Sequence, residues 1–121
     1  VPASQLPPPL AEHERAPLVT FGAGSIVRDA HAPAARLCKL PLLGVYDCNP
    51  EAARAAVSEL GYTVAASSAE DAVARGAAAG AVFDLALPPD AIPGALEALP
   101  DGAAVLIQKP LGKSLSDAEE I

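Results

Sequence analysis

Gly22-Ala23-Gly24-Ser25 follows the apolar run Leu18-Val19-Thr20-Phe21 and leads into a helical pattern, and Asp47 closes the next apolar run 23 positions after Gly24. Residues of these types in this order can hold a phosphate and a ribose. Where a strand stops, glycines let the backbone turn tightly and approach a pyrophosphate, whose charge faces the N-terminus of the next helix. A carboxylate about 20 positions on accepts the ribose hydroxyls. Gly22, Gly24, Ser25 and Ile26 are therefore candidate cofactor-binding residues, with Asp47 as the ribose acceptor. Asp47 would repel a 2′-phosphate, and Cys48 and Asn49 follow it rather than an arginine, which favours NAD over NADP. Asn49 joins the candidate set and is also well placed to cap a helix. The position of a third glycine holds Val27, whose branched side chain should push the helix slightly outward.

A third candidate is Lys109 in Gln108-Lys109-Pro110, at the end of a fifth apolar run. Ligands of open parallel sheets bind at the carboxyl ends of strands, so a lysine there can donate to a substrate hydroxyl or to the nicotinamide ribose. Each feature has a plainer alternative. The glycines would serve a tight turn alone, Asp47 would cap the following turn, and Lys109 would be a surface lysine at a strand end.

The elements that must position these residues alternate strictly. Strands are expected at Leu18–Phe21, Leu42–Tyr46, Tyr62–Ala66, Ala81–Leu87 and Ala103–Ile107. Ile26, Ala30, Ala34 and Leu37 recur at helical spacing, with Pro33 expected to kink or shorten that helix. Asn49-Pro50-Glu51 opens a second helix, whose face is Ala53, Ala56, Val57 and Leu60 and whose stop is Gly61. Ser67 with Glu70, and Ser116 with Glu119, match the capping-box pattern for two more. Ile92, Ala95, Leu96 and Leu99 form a further helical face. Five strand–helix units imply an α/β, doubly wound parallel sheet, and a phosphate loop after the first strand favours the order 3-2-1-4-5. Its last strand should then present an unpaired edge, which invites another chain.

Residues 1–16 hold four prolines and read as an extended, Pro-rich N-terminal arm; residues 17–121 form the dinucleotide-binding unit. The stretch Leu6 to Leu10 would be either a docking segment or an unstructured leader. Glu12-His13-Glu14 is taken as solvated, because adjacent side chains rarely converge on one ion, and no metal site is expected. A net charge of −7 argues against nucleic acid as a partner. No apolar stretch approaches the roughly 18 residues that span a bilayer, so no membrane association is expected. Cys38 and Cys48 fit neither a disulfide framework nor a metal motif, and are read as reduced thiols of a cytoplasmic protein.

The chain resembles the glucose–fructose oxidoreductase / inositol dehydrogenase / rhizopine-catabolism family (Gfo/Idh/MocA). The resemblance rests on Gly22–Ile26, His31-Ala32-Pro33-Ala34, Tyr46-Asp47-Cys48-Asn49-Pro50, Leu87-Pro88-Pro89-Asp90 and Gln108-Lys109-Pro110, in that order, and covers residues 17–121. It implies a Rossmann domain that binds NAD(P), with Leu87 and Pro88 added to the cofactor set. It also implies an oxidoreductase transferring hydride to or from a sugar- or cyclitol-type secondary alcohol, with Lys109 as the catalytic residue. Family members continue into a second α/β domain that completes the substrate site. The expectation is thus a homo-oligomer or a fragment of a longer chain, with a small-molecule substrate for the whole and no turnover by this chain alone. Three positions depart from the pattern: Gln108 stands for Glu, Leu87 for Thr and Ile92 for His. They point to an alternative, a catalytically silent nucleotide-binding or regulatory module. A methyltransferase, with Asp47 holding the ribose of S-adenosylmethionine, is a third alternative, against which Gln108-Lys109-Pro110 argues.

Overall fold

The computed structural model describes Pro2, Gln5 and residues 8–121. Leu6 and Pro7 of the stretch Leu6 to Leu10 thus lie outside the described residues, and Pro8, Pro9 and Leu10 are exposed; Glu12–Glu14 make one exposed 3-10 turn. The first strand, β1 (Leu18–Phe21), and the second, β2 (Leu42–Tyr46), run as their apolar patterns predict. The remaining strands are shorter than expected: β3 is Val64–Ala65, β4 is Val82–Leu85 and β5 is Val105–Ile107. All are parallel, in the order β3-β2-β1-β4-β5. This is a Rossmann-like sheet. Among the described residues β5 pairs with β4 alone and lies at the sheet edge, with Leu106 there 55% exposed.

Side chains alternate across the sheet, so each strand feeds two cores. On one face Leu18 and Val45 pack with Val27, Ala32, Ala35, Ala53 and Ala56. On the other Val19, Phe21, Phe83 and Leu85 pack with Ala72 and Ile92. Gly76 belongs to this second core for lack of space: a Cβ there would collide with the Phe83 ring.

The first helix corrects the sequence expectation. Its predicted face, Ile26, Ala30, Ala34 and Leu37, is exposed throughout, with Leu37 at 85%; Val27, Ala32 and Ala35 are buried instead. The run is so rich in alanine that more than one stripe looks apolar, and packing alone selects between them. The backbone also changes the phase. A π turn over Val27–His31, in which the Ala32 N–H reaches back to the Val27 carbonyl, precedes the regular helix α1 (Ala32–Leu37). Pro33 near the start of α1 has no N–H to give, and the widened turn precedes it directly.

Helix α2 (Pro50–Leu60) begins and ends as read: Asn49 Oδ1 accepts the Glu51 N–H at 3.1 Å, and Gly61 stops it with φ +92°. The two capping boxes are displaced. For α3 (Ala69–Ala79) the cap is Ser68, which accepts from the Asp71 N–H, while Asp71 Oδ2 accepts from the Ser67 N–H. For α5 (Leu115–Glu120) it is Ser114 with Asp117, whose carboxylate accepts from the Lys113 N–H. The reason is the same in both: the reciprocal partner is an aspartate, too short for the glutamate pattern sought, and it reaches the residue before the cap. The Ser67 N–H, then Arg75, hold the half-buried Asp71 carboxyl below its usual range. Helix α4 (Ile92–Ala98) follows a 3-10 turn at Pro89–Ala91. No helix among the described residues is long and apolar enough to cross a membrane.

Candidate functional site

The two glycines of the loop after β1 sit in different surroundings. Gly22 has φ +104°, and a Cβ there would run into the Ala86 carbonyl just past β4. Its N–H donates to the Tyr46 carbonyl at 2.7 Å. The fold itself requires this glycine. Gly24 has no such constraint: a Cβ built there meets nothing within 4 Å. What Gly24 keeps clear is open space over the loop. The helix that follows has its first internal bond from Arg28 N–H to the Gly24 carbonyl, so the N–H groups of Ser25, Ile26 and Val27 precede the ladder and have no intrahelical partner. An open cradle before a row of such donors fits a pyrophosphate. Ser25 and Ile26 are exposed at its rim. Val27, where a third glycine would sit, is fully buried at the start of the π turn.

Asp47 leaves the end of β2 and turns back over this loop. Its Oδ2 accepts the Ala23 N–H at 2.8 Å and its Oδ1 the Asn49 N–H at 2.8 Å. Oδ1 also takes a weak bond from the Cys48 thiol at 3.8 Å, while Oδ2 keeps a further lone pair. Asp47 also lines a hollow of about 420 Å³ with Cys48, Pro50, Arg54 and Ser67. No arginine follows Asp47 directly in the sequence, but the first turns of α2 bring Arg54 to the same hollow seven positions later. Cys38 and Cys48 are both free and exposed. Among the described residues no group of three or more His, Cys, Asp or Glu comes together as a metal set.

The other predicted residues gather at the same end of the sheet. The Ala86 N–H donates to the Phe21 carbonyl, which puts Leu87 and Pro88 next to the glycine loop. The Gln108 N–H donates to the Leu85 carbonyl at 3.0 Å, which carries Lys109, exposed, to the same end beyond β4 and β5. Ile92 is fully buried in the second core, so no polar group is offered at that position.

A buried polar chain went unread in the sequence. Thr20 and Asp84 are Cα partners across β1 and β4, with Thr20 Oγ1 donating to Asp84 Oδ2 at 3.3 Å. Tyr62 Oη donates to Thr20 Oγ1 at 2.8 Å. His31 Nδ1 lies 2.8 and 3.0 Å from the two Asp84 oxygens. Thr20 gives its one proton to Asp84, so Asp84 is the acceptor and His31 Nδ1 carries hydrogen. Burial pushes the Tyr62 phenol up to about 12, against the opposing effect of its bond to Thr20. The chain ties the π turn, β1, β4 and the approach to β3 together beneath the glycine loop. His31 also opens onto a groove of about 360 Å³ between α1 and β5, which Cys38, Leu106 and Gln108 line as well. The one signal in sequence was an aspartate inside the apolar run Val82-Phe83-Asp84-Leu85.

No family model matches the chain, and no curated protein matches it. Solved structures do. One is the WlbA dehydrogenase from Chromobacterium violaceum in complex with NADH and UDP-GlcNAcA, at 26% identity and a TM-score of 0.73, over 96% of this chain and 33% of that one. The WlbA dehydrogenase from Bordetella pertussis, also in complex with NADH and UDP-GlcNAcA, matches at 27% identity and TM-score 0.69, over 88% and 33%. UDP-N-acetylglucosamine 3-dehydrogenase GnnA from Acidithiobacillus ferrooxidans shares the fold at 24% identity and TM-score 0.68, over 88% and 33%. The chain spans about a third of the length of the structures it matches.

Proposed function

We propose that this chain is the NAD-binding domain of an oxidoreductase of the Gfo/Idh/MocA type, acting on a secondary alcohol of a sugar or cyclitol. The observation that carries this is Gly24. Among the described residues nothing needs a glycine there, and the space it leaves lies before free helix N–H groups, with Asp47 alongside. The pyrophosphate would lie over Gly24, Ser25 and Ile26, and the adenosine ribose against Asp47 beside the hollow that Asn49 adjoins. Leu87 and Pro88 would flank the cofactor on the β4 side. The WlbA structures, which hold NADH and a sugar nucleotide, support the cofactor and the substrate class.

Bound in this place, the nicotinamide would supply the hydride acceptor or donor. The chain's own part is positioning. Lys109 would hold a substrate hydroxyl, or the nicotinamide ribose, by donated hydrogen bonds. The substrate, and any second domain or second copy that completes its site, belong to the whole protein as part of this proposal. The buried Ile92 and the uncharged Gln108 favour a second reading, a nucleotide-binding module without catalysis. Calorimetry with NADH tests the common ground of both. Binding to the unmodified chain that disappears in Gly24→Val is the expected result; unchanged affinity in that variant would remove the basis of the proposal. Turnover of polyols or sugar nucleotides by the full native polypeptide, lost in Lys109→Ala, separates the two.

A further inference from the structure

We infer that Asp47 is a positioning residue for the phosphate loop, beyond its part in holding the ribose. The ligand side of this inference rests on the proposed function; the structural side does not. The last main-chain rung between β1 and β2 is the bond from Gly22 N–H to the Tyr46 carbonyl. One residue further, the Ala23 N–H meets a side chain in place of a carbonyl, Asp47 Oδ2 at 2.8 Å. The carboxylate thus extends the ladder into the loop. Its other oxygen takes the Asn49 N–H, and Asn49 in turn caps α2. One side chain therefore joins the phosphate loop to the start of the helix beside the adenosine hollow.

Ala23 is 6% exposed. Without the carboxylate its N–H would be buried and unpaired, and the loop would have to move to recover a partner. That movement would spoil the row of donors at Ser25 and Ile26. Electrostatics acts in the opposite sense: removing a negative charge near the cradle should strengthen the binding of any anion. The two effects predict opposite signs for a ligand that has phosphates and no ribose.

Inorganic pyrophosphate is that probe. If Asp47 positions the loop, Asp47→Ala weakens pyrophosphate binding by roughly tenfold, the size of one charge-assisted hydrogen bond. Asp47→Asn, which keeps one acceptor, should fall between. Equal or tighter pyrophosphate binding by Asp47→Ala would overturn the inference. Hydrogen exchange on the ligand-free chain gives a second answer. In Asp47→Ala, and to a smaller extent in Asp47→Asn, the Ala23 amide should exchange at least about tenfold faster while Val19 and Val45 keep their protection. Unaltered exchange at Ala23 would also overturn the inference. The exchange result decides the positioning role even for a chain that binds neither NADH nor pyrophosphate, an outcome that would instead sink the proposed function.

Discussion

Gly22 and Ala86 touch through the space a side chain would fill: the glycine's Cα faces the Ala86 carbonyl, and φ at Gly22 is +104°. Two positions on, Gly24 faces nothing. The two substitutions should therefore separate folding from binding. Gly22→Ala is expected to cost about 1–3 kcal/mol of stability through backbone strain and collision. Gly24→Val should change stability by less than about 1 kcal/mol and abolish NADH binding. Denaturant melts beside calorimetry check both, and a Gly24→Val chain that unfolds as readily as Gly22→Ala would contradict the distinction.

Cofactor choice should turn on Asp47 and Arg54 together, since both line one hollow. The unmodified chain is expected to prefer NAD. Asp47→Ser removes the repulsion and leaves Arg54 as a partner for a 2′-phosphate, while the lost loop contact weakens both cofactors alike, so the ratio of NADPH to NADH affinity should rise by roughly tenfold, the worth of one charge-assisted contact. Adding Arg54→Ala should cancel the change in ratio. Fluorescence titrations with NADPH and NADH measure it; a change that survives Arg54→Ala would exclude Arg54.

Alkaline stability should depend on Tyr62. Its folded phenol titrates at about 12 against an ordinary value of 10.0. The folded state holds this proton more tightly than the unfolded chain, so the contribution is fully present below pH 10 and is lost as the pH rises toward 12. Its size is on the order of 2 kcal/mol. Tyr62→Phe should flatten that part of the stability profile. An identical alkaline profile in the variant would show that other groups cause the loss.

The pair His31 and Asp84 should be strongly coupled. Asp84 is 2% exposed, and His31→Ala leaves its carboxylate with the Thr20 hydroxyl alone. Removing this hydrogen bond to a buried carboxylate from one side should cost about 1.5–3 kcal/mol. The double variant His31→Ala with Asp84→Ala should lose less than the sum of the single losses. Strict additivity in urea melts would mean the contact contributes nothing.

Lys109 on its own should not sustain catalysis. The 121-residue chain is expected to bind NADH and to reduce no NAD with a panel of polyols. Shared acid–base catalysis typically contributes about 10²–10⁴-fold, so its absence is easy to see. Turnover by this chain that Lys109→Ala abolishes would contradict the expectation.

What local pattern determines was legible in the sequence. β1 and β2 begin and end where apolar runs meet breakers. Asn49 caps α2 and Gly61 stops it, because a cap or a left-handed stop involves only a few neighbouring residues. Strict alternation, with a glycine loop after the first strand, was enough for the strand order. Spacing alone singled out the loop glycines and Asp47, and the structure brings Asp47 onto that loop through the Ala23 N–H.

The tertiary structure decided what depends on register and packing. Which stripe of the Ala-rich first helix is buried followed from the π turn and the sheet beneath it, not from periodicity. Thr20 meets Asp84 across 64 residues only because β1 and β4 pair in one register, and the same pairing brings His31 to the carboxylate. Arg54 reaches the Asp47 hollow through the direction of α2. Nor could spacing separate Gly22 from Gly24: both are glycines of one loop, and only the Ala86 carbonyl, placed by a strand 60 residues later, distinguishes the one the fold needs from the one that faces open space.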